Sequence, residues 1–255
     1  MTPLDGLRLC TSSNLIKCLV PDLATAGHPS ALSLNPDSLK SSRKYTQYDA
    51  MEIEAKFRVT VADLQTVARL RELGAYALTL APAPEQQLNV YYDTPDARLQ
   101  AARHGLRVRR IGTQACVTLK GPAEVGPDSV YRRAEYEFPG EDPHPATWPS
   151  GVARDLALAL TGGAPLRPIV TITTERYLLY AIRAGVIVAE ICLDQGTLRA
   201  GDRERPFTEL EIELRPAGSR ADLTALAASL GTQITLTPEP LSKLQQALTL
   251  LQNRA

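Results

Sequence analysis

Residues 207–215 read FTELEIELR, with Glu209, Glu211 and Glu213 at alternate positions and Leu210, Ile212 and Leu214 between or beside them. That is period two, the mark of a strand whose successive side chains point to opposite faces. Three carboxylates therefore share one face. The pattern recurs along the chain. MEIEAKFRVT (51–60) sets Glu52, Glu54 and Lys56 against Ile53, Ala55 and Phe57. GLRVRR (105–110) places Arg107 and Arg109 together, and RAEYEF (133–138) does the same for Glu135 and Glu137. Lys120 closes VTLK, while Glu190 and Asp194 lie in AEICLD. Like charges two apart on a strand repel, and ordinary half-exposed sheets mix their signs. Acidic and basic ladders sorted onto separate strands demand a fold that uses them.

A closed barrel is such a fold, because every other residue must face its interior. If the interior is the charged side, the cost of burial falls only when charges are paired or metal-bound. Clustered carboxylates suit hard cations, Mg2+ or Mn2+, rather than zinc. Guanidiniums grip phosphate oxygens in forked fashion, and ammonium groups act as point charges. Carboxylates, a hard metal and several basic groups are the toolkit of phosphoryl transfer or hydrolysis.

The rest of the chain is consistent with that reading. Further strand-like runs occupy about 86–93, 115–120, 167–182 and 186–194. Helical patterns follow Thr60, span 152–160, follow Ser219 and occupy 241–252, the last with Leu241, Leu244, Leu248 and Leu251 in a stripe. Thr60-Val-Ala-Asp63 and Ser219-Arg-Ala-Asp222 are capping-box-like starts. Many strands with few helices between them predict an α+β chain built on an antiparallel sheet or barrel. The first fifty residues differ in kind: they hold seven of the twelve serines and none of the glutamates. They are expected to be a disordered extension or the product of a start assigned too far upstream, with the domain running over 51–255. Their longest apolar run, broken by Lys17, is too short for a membrane span. From Met51 onward the chain carries 23 basic and 24 acidic residues, a balance that excludes a general nucleic-acid binder or a basic membrane-surface protein. Cys116 and Cys192 lie in apolar strand-like runs and are read as buried free thiols. Trp148, in a Pro-rich loop, is read as a packing anchor, and His104 and His144 as exposed turn residues.

Glu52-Ile-Glu54-Ala-Lys56 resembles the ExExK signature of the CYTH superfamily, the triphosphate tunnel metalloenzymes. The similarity continues through YYDTPDARLQAARHGLRVRR (91–110), VTLKGP (117–122), RAEYEFPG (133–140), AEICLDQGTLRAGDRERPFTELEIEL (189–214) and Ser242-Lys243. It is strongest to the bacterial inorganic triphosphatase-like branch. The resemblance implies an eight-stranded antiparallel β-barrel, the triphosphate tunnel, with a few flanking helices. It implies a cytoplasmic, divalent-metal-dependent hydrolase of tripolyphosphate. Alternatives are a thiamine triphosphatase, a class IV adenylate cyclase acting on a nucleoside triphosphate, or a polyphosphate-binding module without turnover. By this resemblance Glu52, Glu54 and Lys56 are catalytic. Glu52, Glu54, Glu211 and Glu213 hold Mg2+ or Mn2+, and Lys56, Arg107, Arg109, Lys120, Arg176 and Lys243 bind the substrate. Glu135, Glu137, Glu190, Asp194 and Glu209 support them. No nucleic acid or membrane partner is implied, and the oligomeric state is left open.

Three departures from the family pattern bear on rate and substrate choice. TITTERY (171–177) offers Arg176 where relatives carry more basic residues. Gln195 stands where arginine is frequent, and LQQAL follows Ser242-Lys243 in place of arginine-glycine.

Overall fold

The computed structural model describes residues 48–126 and 130–252. The expectation for the leader covers residues 1–50, of which 1–47 lie outside that range. The first strand begins at Tyr48, three residues before Met51.

Among the described residues twelve strands form: β1 (Tyr48–Arg58), β2 (Glu72–Leu73), β3 (Tyr76–Leu80), β4 (Glu85–Asp93), β5 (Gly105–Ile111), β6 (Gln114–Lys120), β7 (Glu124–Val125), β8 (Val130–Pro139), β9 (Arg167–Arg183), β10 (Val186–Ala200), β11 (Arg203–Leu214) and β12 (Thr237–Pro238). Among the described residues five α-helices accompany them: α1 (Val61–Ala68), α2 (Arg98–Ala101), α3 (Val152–Thr161), α4 (Arg220–Gly231) and α5 (Lys243–Gln252). Eight strands close into an antiparallel barrel in the order β9–β10–β11–β1–β8–β6–β5–β4 and back to β9. The short pieces are additions to its edges: β3 pairs with the end of β9, β7 with β8 and β12 with β1.

The barrel has its polarity reversed relative to a simple globule. Register alone places Glu54 beside Glu213, Lys56 beside Glu211, Asp194 beside Arg176 and Glu209, and Lys120 beside Glu135. Directly paired residues share a face, so all the charged ladders look into the lumen. The alternate residues form the outer wall, and there the apolar core lies. Leu106, Val108, Val117 and Leu119 pack under α2, α3 and the Trp148 loop. Trp148 is indeed a packing anchor: its ring meets Phe138 edge-on at 5.1 Å, and its Nε1 donates to the Asp142 carbonyl. Helices α1 and α4 bury Leu64 and Val67, and Leu223, Leu226 and Leu230, respectively. Both start on capping boxes, Thr60 with Asp63 and Ser219 with Asp222, which satisfy otherwise orphaned N–H groups.

Helix α5 differs from the others in what it covers. Ser242 and Gln245 cap it reciprocally. Its Leu244, Ala247 and Leu248 pack with Tyr91, Val170, Ile172, Leu198 and Phe207, which register places on the lumen face of β4, β9, β10 and β11. Half of the predicted leucine stripe, Leu244 and Leu248, thus joins an apolar cluster with lumen-facing residues at one end of the barrel, whereas Leu241 and Leu251 are exposed. Among the described residues no helix is long and apolar enough to cross a membrane.

Two strands outrun their sequence prediction. β10 continues to Ala200 and β11 starts at Arg203, making one long hairpin where two shorter runs were expected.

Candidate active site

Inside the barrel the charged residues sort into two networks that meet at the β1–β11 pair. The first spans β1, β5, β6 and β8. Lys120 Nζ donates to Glu52 Oε1 at 2.8 Å and lies 3.1 Å from Glu135. Arg133 Nε donates to Glu52 Oε2, and its Nη2 to Glu54 Oε1 at 3.0 Å. Arg107 approaches Glu135 at 3.5 Å. Its buried Nε has no hydrogen-bond partner among the described residues. Arg109 Nε donates to Asn89 Oδ1 at 2.8 Å. Glu137 accepts from Cys116 Sγ at 2.9 Å and from Thr118 Oγ1 at 3.3 Å.

The second network spans β9, β10, β11 and α5. Arg176 grips Asp194 through two nitrogens and also donates to Glu211 at 2.6 Å. Lys243 Nζ, from the first turn of α5, contacts Glu209, Glu211 at 2.8 Å and Asp194 at 3.0 Å. Gln246 donates to the other oxygen of Glu209 at 2.9 Å. Glu190 and Glu213 lie further along the same wall, 3.6 and 3.9 Å from Arg215.

Each network holds one carboxyl low and raises its neighbour. Burial would push Glu52 up, but Lys120 and Arg133 outweigh it and hold the carboxyl well below the usual range. Glu54 goes the other way: burial, and then the Glu52 charge, raise it against Arg133. On the neighbouring strand β11, burial of Glu211 is outweighed by Lys243 and Arg176, which keep it low. Glu209 beside it is pushed up to about 7 by burial, with Glu211 adding to the shift and Lys243 opposing it. Tyr91, opposite Arg107 on β5, is lowered despite its burial, by the fields of Arg107, Lys120 and Arg109.

Two groups of donors lie with their ligand atoms within 4.8 Å of one another: Asp194, Glu209 and Glu211, and Glu190, Cys192 and Glu213. The first is an all-oxygen set, already holding one ammonium group at its centre, and such donors fit a hard divalent cation. Glu52 and Glu54 stand outside both groups, tied to Arg133 and Lys120, although register sets Glu54 directly against Glu213. Lys56 lies 4.4 Å over the Tyr131 ring and donates to the Leu241 carbonyl at 3.3 Å.

A family model for the CYTH domain matches residues 50–247. The chain belongs to the CYTH family. Over 157 residues it is 31% identical to the inorganic triphosphatase of Haemophilus influenzae, covering 60% of this chain and 43% of that protein. The chain thus matches less than half the length of that curated relative. Among solved structures, the barrel is similar to a putative adenylyl cyclase from Hippeastrum described as having a dominant triphosphatase activity. That match has a TM-score of 0.55 and 19% identity over 78% of this chain and 95% of the other. A putative adenylate cyclase from Bacillus halodurans matches at TM-score 0.50 and 23% identity, over 75% and 93% of the two chains. Both likenesses speak to the fold.

Seen as a CYTH lumen, the site gathers nearly every residue marked in the sequence, but in unequal ways. Arg107, Arg109 and Lys120 line one wall, whereas Arg176 and Lys243 are locked into the acidic wall opposite. Glu137 pairs with a thiol and a hydroxyl, apart from both donor groups. Cys116 and Cys192 are buried and free, but they face the charged lumen and not the apolar side of their strands. Burial pushes Cys116 up to about 11, with Glu137 adding to it. The lumen residues that sequence reasoning missed include Arg133, Asn89, Gln246, Thr118 and Tyr131. Arg133 had a visible signal, since it shares the period-two face of Glu135 and Glu137.

Proposed function

We propose that this CYTH domain is a divalent-metal-dependent hydrolase of inorganic tripolyphosphate. One observation carries the reading: a closed lumen with Arg107, Arg109 and Lys120 on one wall and Asp194, Glu209 and Glu211 on the other. A short polyanion matches the first wall and a hard cation the second. The name of the Haemophilus influenzae relative supports the substrate class.

Mg2+ or Mn2+ held by Asp194, Glu209 and Glu211, with Glu54 and Glu213 beside them, would neutralise charge that builds on the phosphate oxygens. The remaining work falls to the chain. Arg107, Arg109 and Lys120 grip the triphosphate, the unsatisfied Arg107 Nε supplying a ready donor. Lys56, held by Tyr131 and Leu241, adds a point charge at the β1 wall. Water attacks a terminal phosphorus in line, the P–O bond to the bridging oxygen breaks, and pyrophosphate leaves with orthophosphate as the other product. The proton of the water passes to a lumen carboxylate. Glu54, raised by burial and by Glu52, is the better base of the ExExK pair.

The deciding experiment compares tripolyphosphate, thiamine triphosphate and ATP with Mg2+ and with Mn2+. Phosphate should be released fastest from tripolyphosphate, and Glu54→Gln should slow release by about a hundredfold or more. Intact tripolyphosphate after long incubation with both metals would sink the proposal. A second reading, a cytoplasmic polyphosphate-binding module without turnover, draws on Arg176, which β9 presents already bound to Asp194 and Glu211. Tight binding by calorimetry with no phosphate release selects it.

A further inference from the structure

We propose that Gln246 is a positioning residue: through Glu209 it sets the Lys243 ammonium for transfer onto the triphosphate. The proposal rests on the hydrolase reading of this lumen.

Gln246 lies three residues after Lys243, so both project from one face of α5. The neighbouring helix positions Leu244, Ala247 and Leu248 pack into the apolar cluster. Packing alone would ask for another apolar side chain at 246, where the residue is 6% exposed. A buried amide is costly unless its hydrogen bonds are made. Here they are made in one sense only. Gln246 Nε2 donates to Glu209 Oε2 at 2.9 Å and to the Leu241 carbonyl at 3.3 Å, while its Oε1 accepts from Arg205 Nη2 at 3.4 Å. The carboxylate requires the NH2 end and the guanidinium requires the oxygen, so the amide cannot turn over.

Glu209 is thereby held at both ends. Lys243 takes one oxygen and Gln246 the other. Rotating the carboxylate to follow Lys243 breaks the Gln246 bond. When a triphosphate draws Lys243 away, Gln246 keeps Glu209 hydrogen-bonded and stops it from swinging toward the polyanion. An apolar residue at 246 leaves Glu209 free to move with Lys243, and the ammonium is then harder to release.

A double-mutant cycle tests this. Gln246→Met and Gln246→Leu are made in the native and the Lys243→Met backgrounds. Each protein is assayed for tripolyphosphate binding with Mg2+ by calorimetry, for KM and kcat, and for melting temperature. In the native background each Gln246 variant should weaken binding about tenfold, with a smaller change in kcat. In the Lys243→Met background the loss should shrink to about twofold or less. An equal loss in both backgrounds, or no loss in a folded Gln246→Met or Gln246→Leu protein, overturns the positioning role while leaving the hydrolase reading intact. A native chain that neither binds nor cleaves tripolyphosphate overturns both.

Discussion

Arg176 holds both oxygens of Asp194, Nε to Oδ1 at 2.7 Å and Nη2 to Oδ2 at 2.6 Å, across the β9–β10 pair. Both side chains are almost wholly buried. Removing one partner strands a charge in the wall of the barrel, an effect of roughly 3–5 kcal/mol. Asp194→Ala should lower the stability read by urea unfolding by about that amount. The pair Arg176→Met with Asp194→Leu should recover most of it, because no lone charge remains. A single variant within about 0.5 kcal/mol of the native chain would show that Glu211 alone satisfies Arg176.

Arg133 is predicted to tune the ExExK pair rather than to touch it up structurally. It donates to both Glu52 and Glu54, and with Lys120 it holds Glu52 low. Arg133→Met removes that cation, so both carboxyls rise. The acid limb of the pH–rate profile should move to higher pH, by about one unit or more. An unmoved limb with unchanged kcat would refute this role.

Asp93 illustrates a motif residue whose task is structural. In the YYDTPD stretch its carboxylate accepts from the backbone N–H of Thr94 at 2.7 Å, Leu99 at 2.9 Å and Gln100 at 3.0 Å. It ties the end of β4 to α2. Asp93→Ala should lower the melting temperature by about 5–10 °C. The measured kcat for phosphate release should stay within about twofold of native, and a much larger fall would assign Asp93 to the chemistry.

The metal-free protein should lose stability as pH rises from about 5 to 8. Glu209, pushed up to about 7 by burial, and Glu54 and Glu135, raised by burial and by Glu52, all favour the protonated form when folded. A raised carboxyl stabilises fully below its unfolded value and ceases to do so as pH climbs through its folded one. Glu52, Glu211 and Asp222 are held low and titrate on the acid side of that window. Calorimetric melting in chelator should therefore show a falling midpoint over this range, flattened by Glu209→Gln. A midpoint that rises over the range would contradict the assignment.

The barrel was legible because its strands alternate charge with apolar side chains, and a lumen of sorted charge has few other solutions. What the alternation did not carry was missed. β10 looked finished at Asp194 because Gly196 interrupts the pattern. That glycine is required by close approach, since a Cβ there would lie 1.9 Å from the Thr173 carbonyl oxygen on β9. β3, YALTL, alternates no charges at all. At the site, ladders of like sign drew attention to Glu135 and Glu137 and away from Arg133, the cation on the same face that neutralises their neighbours. Gln246 gave no signal, because an uncharged amide beside a leucine stripe looks like an exposed helix position.

The ring closes where β4 meets β9, with Val90 set against Thr171. Those partners are far apart in the chain, and most of the barrel lies between or beyond them. A chain that has made all its local hairpins still has two separate sheets, β4–β5–β6–β8 and β9–β10–β11, with β1 unpaired and no lumen, and its sorted charges face water. Closure is therefore the late, non-local event that should set the folding rate, in the slow regime of topologies dominated by distant pairings. It also gives the half-formed chain a benefit. Away from the apolar end that α5 covers, the face left open before closure is ionic, so waiting intermediates present a solvated surface there in place of a sticky one.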